Sequence, residues 1–265
     1  MVARGRNGRN RKATEEAISE DSLSLTGDER EQDAIMGNVR AFHETINMSV
    51  KIGAGLLGEL KNNPKRITEW IDRESLPRWP TNKIYSRDDI INAEIQFRNM
   101  GILLVDSKYE WLLGRQQEIL PGKNINQTDD ECPWDAVIKK LKKAGGSAPP
   151  ILMVYLPALR LFRKLRNAIA HNAGRARSKL DSFYRQKRND INKALEQLSI
   201  HNGSKSQPIM PDFTKASDIK IEYELVILFA DIHLKSADAL CGYLKSRYLD
   251  DKDGKKPVHL AEAES

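Results

Sequence analysis

The chain has almost none of the residues that build a redox or disulfide framework. It holds two cysteines in 265 residues, Cys132 and Cys241. That is too few for a disulfide scaffold, and neither has a second metal ligand close by in the sequence. Long hydrophobic runs are also missing. The apolar run Ile151–Leu156 is far shorter than the roughly 20 residues that span a bilayer. The N-terminus is basic but lacks the apolar segment of a secretory signal. These absences point to a soluble protein of a reducing cytoplasm. Alternation with period two never persists beyond a few residues, and no sequence repeat is visible, so a sheet protein is not expected. Acids are absent from two stretches. Residues 1–12 carry five basic side chains, and residues 136–180 carry eleven, with no Asp or Glu in either. The whole chain is only +6, so the remainder is net acidic. Positive charge concentrated in this way attracts polyanions.

What is present is helical periodicity. Residues 1–30 are rich in Arg, Gly, Asn, Ser and Glu without apolar periodicity, which predicts a disordered tail. From about Glu31, the spacing of Ile35, Val39, Phe42, Ile46 and Val50 predicts a helix to about Leu60, ended by Asn62-Asn63-Pro64. A short helix is expected over 65–72 and a loop over 76–82. Asp88 and Asp89 open a long helix over roughly 89–120, closed by Pro121-Gly122. A short basic helix at 134–143 precedes the "AGGSAPP" linker. Residues 151–173 form another helix, with Pro157 kinking it or opening its second half. Ser178 with Asp181 three residues on resembles a capping box, starting a helix to about Ile200. The last helix covers roughly 219–249, and residues 251–265 are a polar tail. The fold class expected is all-α, an up-and-down bundle of four long helices plus short ones, in one domain over 31–250.

The chemistry concentrates in "LFRKLRNAIAHNAG", residues 161–174. At about 100° per residue, Ala158, Leu161, Phe162, Leu165, Ala168 and Ile169 form one apolar stripe that should face the core. Arg160, Arg163, Lys164, Arg166, Asn167 and His171 cover the opposite side, and Gly174 or Asn172 reads as the left-handed cap of this helix. Arg166 and His171 lie about 140° apart, so both could meet a ligand lying across the polar side or a groove shared with a second copy. Asn167 and His171, four residues apart, share a side.

At "RNAIAH", Arg166 to His171, the chain resembles the HEPN superfamily, whose signature is an Arg, often followed by Asn, and a His after four to six further residues. The resemblance is specific over about fifteen residues and topological over roughly 31–250. It implies an all-α bundle and a metal-independent endoribonuclease that uses the RNA's own 2′-hydroxyl as nucleophile. Arg166, Asn167 and His171 are then catalytic: His171 as general acid or base, Arg166 for charge on phosphorus, Asn167 to position His171 or the phosphate. Arg160, Arg163, Lys164, Arg175 and Arg177 become candidate RNA contacts. The resemblance implies products ending in a 2′,3′-cyclic phosphate and a 5′-hydroxyl, no metal and no cofactor. It further implies a homodimer, an antitoxin or regulatory protein as partner, and a place in defence or growth arrest. Other members only bind RNA or nucleotides.

Other motifs carry less. "GAGLLG", Gly53 to Gly58, fits G-x-G-x-x-G formally but sits in helical sequence rather than after a strand, so close helix packing is its expected use. Trp70 and Trp79 could stack on bases, although packing is the commoner use of Trp. His43, His201, His233 and His259 stand without a second ligand at metal spacing.

Overall fold

The computed structural model describes residues 29–66, 86–125, 131–171, 174–202, 213 and 221–248. These form six α-helices: α1 Glu29–Asn62, α2 Arg87–Ile119, α3 Pro133–Lys143, α4 Pro150–His171, α5 Gly174–His201 and α6 Tyr223–Tyr248. No strand occurs among the described residues, and the molecule is an all-α bundle. Five of the helices are long, matching the five long stretches read from periodicity and one more than the four counted for the expected bundle. The expected tails and the expected elements at 67–72 and 76–82, with Trp70 and Trp79, lie outside the described residues.

Local chemistry explains the helix ends. Ser86 caps α2: its Oγ accepts from the Asp89 amide at 3.2 Å while the Asp89 carboxylate accepts from the Ser86 amide at 2.8 Å. This capping box satisfies two amides that the first turn leaves unpaired. Beyond α2, Gly122 adopts φ 86°, a left-handed turn that only glycine makes without strain. Pro133 opens α3, where its missing N–H costs nothing. Pro157 sits inside α4 without ending it, so the helix runs unbroken from Pro150 to His171 rather than opening afresh at Pro157. One expectation is corrected at α5. The helix begins at Gly174, not Ser178, so Gly174 opens α5 rather than capping α4. Asp181, expected to cap, instead pairs with Arg185 one turn on at 2.9 Å.

Pairs of side chains set the order of packing. Glu31–Arg115 at 2.5 Å and Lys61–Glu94 at 2.8 Å bind opposite ends of α1 to α2, which therefore run antiparallel. Asp33–Lys245, Arg40–Asp238 and His43–Asp231 form three rungs between α1 and α6, again antiparallel. On α2, Gly101 lies under Val226 and the ring of Tyr109 stands 4.8 Å from that of His233, so α2 and α6 run in parallel. α4 lies against both. Its Phe162 meets Phe229 edge-on at 4.5 Å, and Trp134 of α3 closes the cluster 6.1 Å from His233. Each such buried aromatic contributes about 1.5–3 kcal/mol through lost apolar surface. α5 folds back along α4, with Lys164 Nζ 5.3 Å above the Phe183 ring. The Lys140 ammonium is buried beneath the end of α2, donating to the Gln117 carbonyl at 2.5 Å and to Asn124 Oδ1 at 2.8 Å. Burial pushes its pKa down.

Gly53 confirms that close packing is one use of "GAGLLG". A Cβ placed on it falls 2.5 Å from the Phe97 ring of α2. The segment lies inside α1, so no strand precedes it and the dinucleotide reading has no structural basis.

Candidate functional site

α4 carries the motif on its second half. Its inward stripe is as the wheel places it: Ala158, Leu161, Phe162, Leu165 and Ala168 are buried, and Ile169 is half-buried against them. The opposite side differs from expectation. Arg163 and Asn167 are buried as well, because α4 is packed on several sides rather than one.

The arginines of this side meet acids from other elements. The Arg163 guanidinium lies 2.5 Å from Asp106 and 3.4 Å from Glu110, both on α2. Burial disfavours its charge, but Asp106 and Glu110 outweigh burial and raise its pKa. For Asp106 burial dominates and raises the carboxyl, with Arg163 and Arg166 opposing. Arg160 forms a two-pronged pair with Asp135 of α3, at 2.6 to 3.2 Å. Asp135 stands one residue before the acid-free stretch, so the acid that neutralises Arg160 is the one the window just misses. The expectation of a wholly basic, solvent-facing side is thereby corrected. Arg163 is held inside by α2 and cannot present its guanidinium to RNA, and Arg160 is shared with Asp135. Lys164 is half-buried over Phe183. Arg175 and Arg177 fall in the first turn of α5, and their side chains lie outside the described residues.

Arg166 is placed differently. Its side chain is 24% exposed, with Nε 3.4 Å from Asp106 and Nη1 donating to Asn167 Oδ1 at 3.0 Å. Asp106 therefore serves two arginines. It fixes Arg163 fully and Arg166 from one side. Asn167, expected to position His171 or a phosphate, turns its oxygen to Arg166. His171 is exposed on the last turn of α4. The structure brings Arg166, Asn167 and Asp106 together. It places His171 on the same end of the helix, five residues and about 7.5 Å of rise further on.

Such a site offers an oriented, partly desolvated guanidinium for an anion and an exposed imidazole for proton transfer. Among the described residues, no three His, Cys, Asp or Glu side chains are grouped as metal ligands would be, and no helix is long and apolar enough to cross a membrane. A crevice bounded by Asp106, Trp134, Arg163 and His233 has no room for a water-sized molecule. An open groove of about 670 Å³ lies on the other half of α4, lined by Met153, Pro157, Lys193 and Ile200; neither Arg166 nor His171 lines it.

Sequence reasoning missed Asp106 as a member of this site. A signal existed: Asp106 falls on the inward side of α2 beside Ile102, Val105 and Tyr109, and an acid there implies a buried cation. It also missed the pairing of His43 Nε2 with Asp231 at 2.7 Å, with Asn47 3.4 Å away, since the two lie 188 residues apart. His233 lies two residues beyond Asp231 but points elsewhere. It is buried among rings, with Nδ1 2.9 Å from the Phe229 carbonyl. Comparisons of the chain with protein-family models, with curated proteins and with solved structures return no match.

Proposed function

We propose that the chain is a metal-independent endoribonuclease of HEPN type, acting through the exposed end of α4. The observation that carries this reading is Arg166, held between Asp106 and Asn167 with its side chain partly exposed, on the helix end that also exposes His171. An RNA strand lying across this end meets both groups without requiring them to touch. His171 takes the proton of a 2′-hydroxyl as its oxygen attacks phosphorus. The bond to the 5′-oxygen breaks, that oxygen takes a proton from water, the hydroxide so formed takes the proton held by His171, and the ends are a 2′,3′-cyclic phosphate and a 5′-hydroxyl. Arg166 neutralises charge on the non-bridging oxygens. Asp106 and Asn167 position the guanidinium. Lys164, Arg175 and Arg177 belong to the strand's path along α4 and α5, and RNA is the partner.

The test is RNA cleavage by the wild type, His171→Ala and Arg166→Ala, each with EDTA. Loss of about 10²-fold or more is expected for each variant, the range for general acid–base groups, with no effect of EDTA. Cleavage that survives both substitutions refutes the site, and cleavage abolished by EDTA refutes the metal-free mechanism. A role in defence or growth arrest, under an antitoxin or other regulatory protein, is tested by expression toxicity, which His171→Ala should relieve.

One observation favours a second reading. Asp106 shares the charge of Arg166 at 3.4 Å, which suits a phosphate-binding module without turnover. That reading predicts RNA binding that weakens with salt and is unchanged by His171→Ala.

A further inference from the structure

α5 has two unlike sides. Leu180, Tyr184, Ile191, Ala194, Leu195 and Leu198 are buried. At 100° per residue, Ser178, Ser182, Arg185, Gln186, Asn189, Asn192 and Lys193 share an arc of about 120° on the other side. All seven are exposed. The arc runs about 23 Å along the helix and holds no acid and no apolar side chain. Its composition does not suit a surface that only meets water. Ser and Asn serve a helix poorly where Ala, Glu or Lys would serve it better. No side-chain hydrogen bond to a described residue occupies Ser182, Gln186, Asn189 or Asn192. The charge leans one way as well. α5 carries seven basic and three acidic side chains. Asp181 meets Arg185 at 2.9 Å and Asp190 meets Lys187 at 3.4 Å. Arg188 and Lys193 meet no acid among the described residues.

We propose that this outward arc of α5 binds the stem of a double-stranded RNA, so that the substrate is an RNA with a duplex stem beside an unpaired segment. This rests on the reading of RNA as the partner. An A-form duplex presents a wide, shallow minor groove lined with 2′-hydroxyls and bordered by phosphates. A 2′-hydroxyl both donates and accepts a hydrogen bond, and so does a carboxamide. Gln186, Asn189 and Asn192 follow one another at three-residue spacing on one side of the helix and match a row of such hydroxyls. Arg185, Arg188 and Lys193 lie among or beside the amides, where the bordering phosphates call for cations. Asp181 does not withhold Arg185, whose side chain is 61% exposed, because a pair so open to water is weak.

An unpaired strand calls for different chemistry. Its splayed bases stack on aromatic faces, and the arc has none. Phe183 is half-buried beneath Lys164, and Tyr184 is buried. The arc also adjoins the site at the end of α4. α5 begins at Gly174, three residues after His171, so a stem seated on the arc leaves its unpaired flank beside Arg166 and His171.

Fluorescence anisotropy on the full chain carrying His171→Ala tests this. The probes are an RNA hairpin with a stem of roughly 16 base pairs, the span that duplex-reading domains cover, an unpaired RNA of the same composition, and the DNA form of the hairpin. The RNA hairpin should bind about 10-fold tighter than either of the others, the weight of a few hydrogen bonds. Asn189→Ala with Asn192→Ala should remove that advantage and leave binding of the unpaired RNA unchanged. Alanine favours the helix, so the helical circular dichroism should not fall. Arg188→Ala with Lys193→Ala should weaken both hairpins alike and make their binding less sensitive to salt. Equal binding of the RNA hairpin and the unpaired strand overturns the proposal. A DNA hairpin bound as tightly as the RNA one, or hairpin binding that the asparagine variant leaves intact, overturns it too. Cleavage by the wild type is scored separately. A hairpin preference without cleavage leaves the duplex surface standing and refutes the nuclease, and cleavage without a hairpin preference does the reverse.

Discussion

Asp106 is the side chain on which the motif helix depends. It lies 2.5 Å from Arg163 and 3.4 Å from Arg166, and removing it leaves the buried Arg163 guanidinium only the more distant Glu110, at 3.4 Å. Asp106→Ala should therefore destabilise by about 3–5 kcal/mol, the range for breaking a buried pair, measured by urea denaturation. Arg160→Ala removes a pair that is partly exposed on both sides, and the loss should stay within about 1 kcal/mol. His233 gives a second residue-scale expectation. Complete burial among aromatic rings pushes its pKa down to about 4, below the roughly 6.5 of an unfolded chain. The unfolded state then binds the proton more readily, so stability is full above pH 6.5 and is lost as pH falls through 4. The loss should reach about 3 kcal/mol. Urea titrations at pH 7 and pH 4 should show a smaller drop for His233→Phe than for the wild type, and equal drops would refute the assignment. Of this chemistry the sequence displays the cations but not their partners. Asp106, Glu110 and Asp135 come from other helices, and spacing along one helix carries no information about what packs across from it.

At the scale of elements, the periodicity of apolar residues marks the long helices to within about four residues at most ends. The reason is physical: one buried stripe repeating every 3.6 residues is a property of the helix itself. The wheel fails where a helix has more than one neighbour. α4 is flanked by α2, α5 and α6, so Arg163 and Asn167, opposite the apolar stripe, are buried nevertheless. The start of α5 misleads for a related reason. Ser178 and Asp181 have the spacing of a capping box, but the helix already runs through them from Gly174, and only the path of the chain out of α4 decides that. Two glycines of α2 separate packing from propensity. A Cβ on Gly101 would fall 2.8 Å from Val226, whereas one on Gly114 meets nothing within 4 Å. Gly101→Ala should destabilise, and Gly114→Ala should stabilise by up to about 1 kcal/mol. Thermal melts of the two variants should move in opposite directions.

Across the whole molecule, the positive charge of residues 136–180 does not form one patch. Lys142 and Lys143 close α3 beside the beginning of α4, while His171 ends α4 about 30 Å away. Replacing both lysines with alanine should leave the rate of RNA cleavage at saturating RNA unchanged, and a fall like that of His171→Ala would place the site elsewhere. Summed charge in the sequence thus overstates what any one surface presents, because pairing with Asp106 and Asp135 is a property of the assembled bundle. The two buried thiols offer a different kind of information. Cys132 precedes α3, with burial pushing its thiol up to about 12, and Cys241 lies on α6 facing α1. Neither reacts while covered, so each one's rate of alkylation measures how often its own part of the bundle opens. The chain thus carries two clocks. Equal rates mean that α3 leaves only when the whole bundle unfolds. A faster Cys132 means that α3 detaches alone, transiently uncovering the Trp134 and His233 cluster while α1 and α6 stay joined.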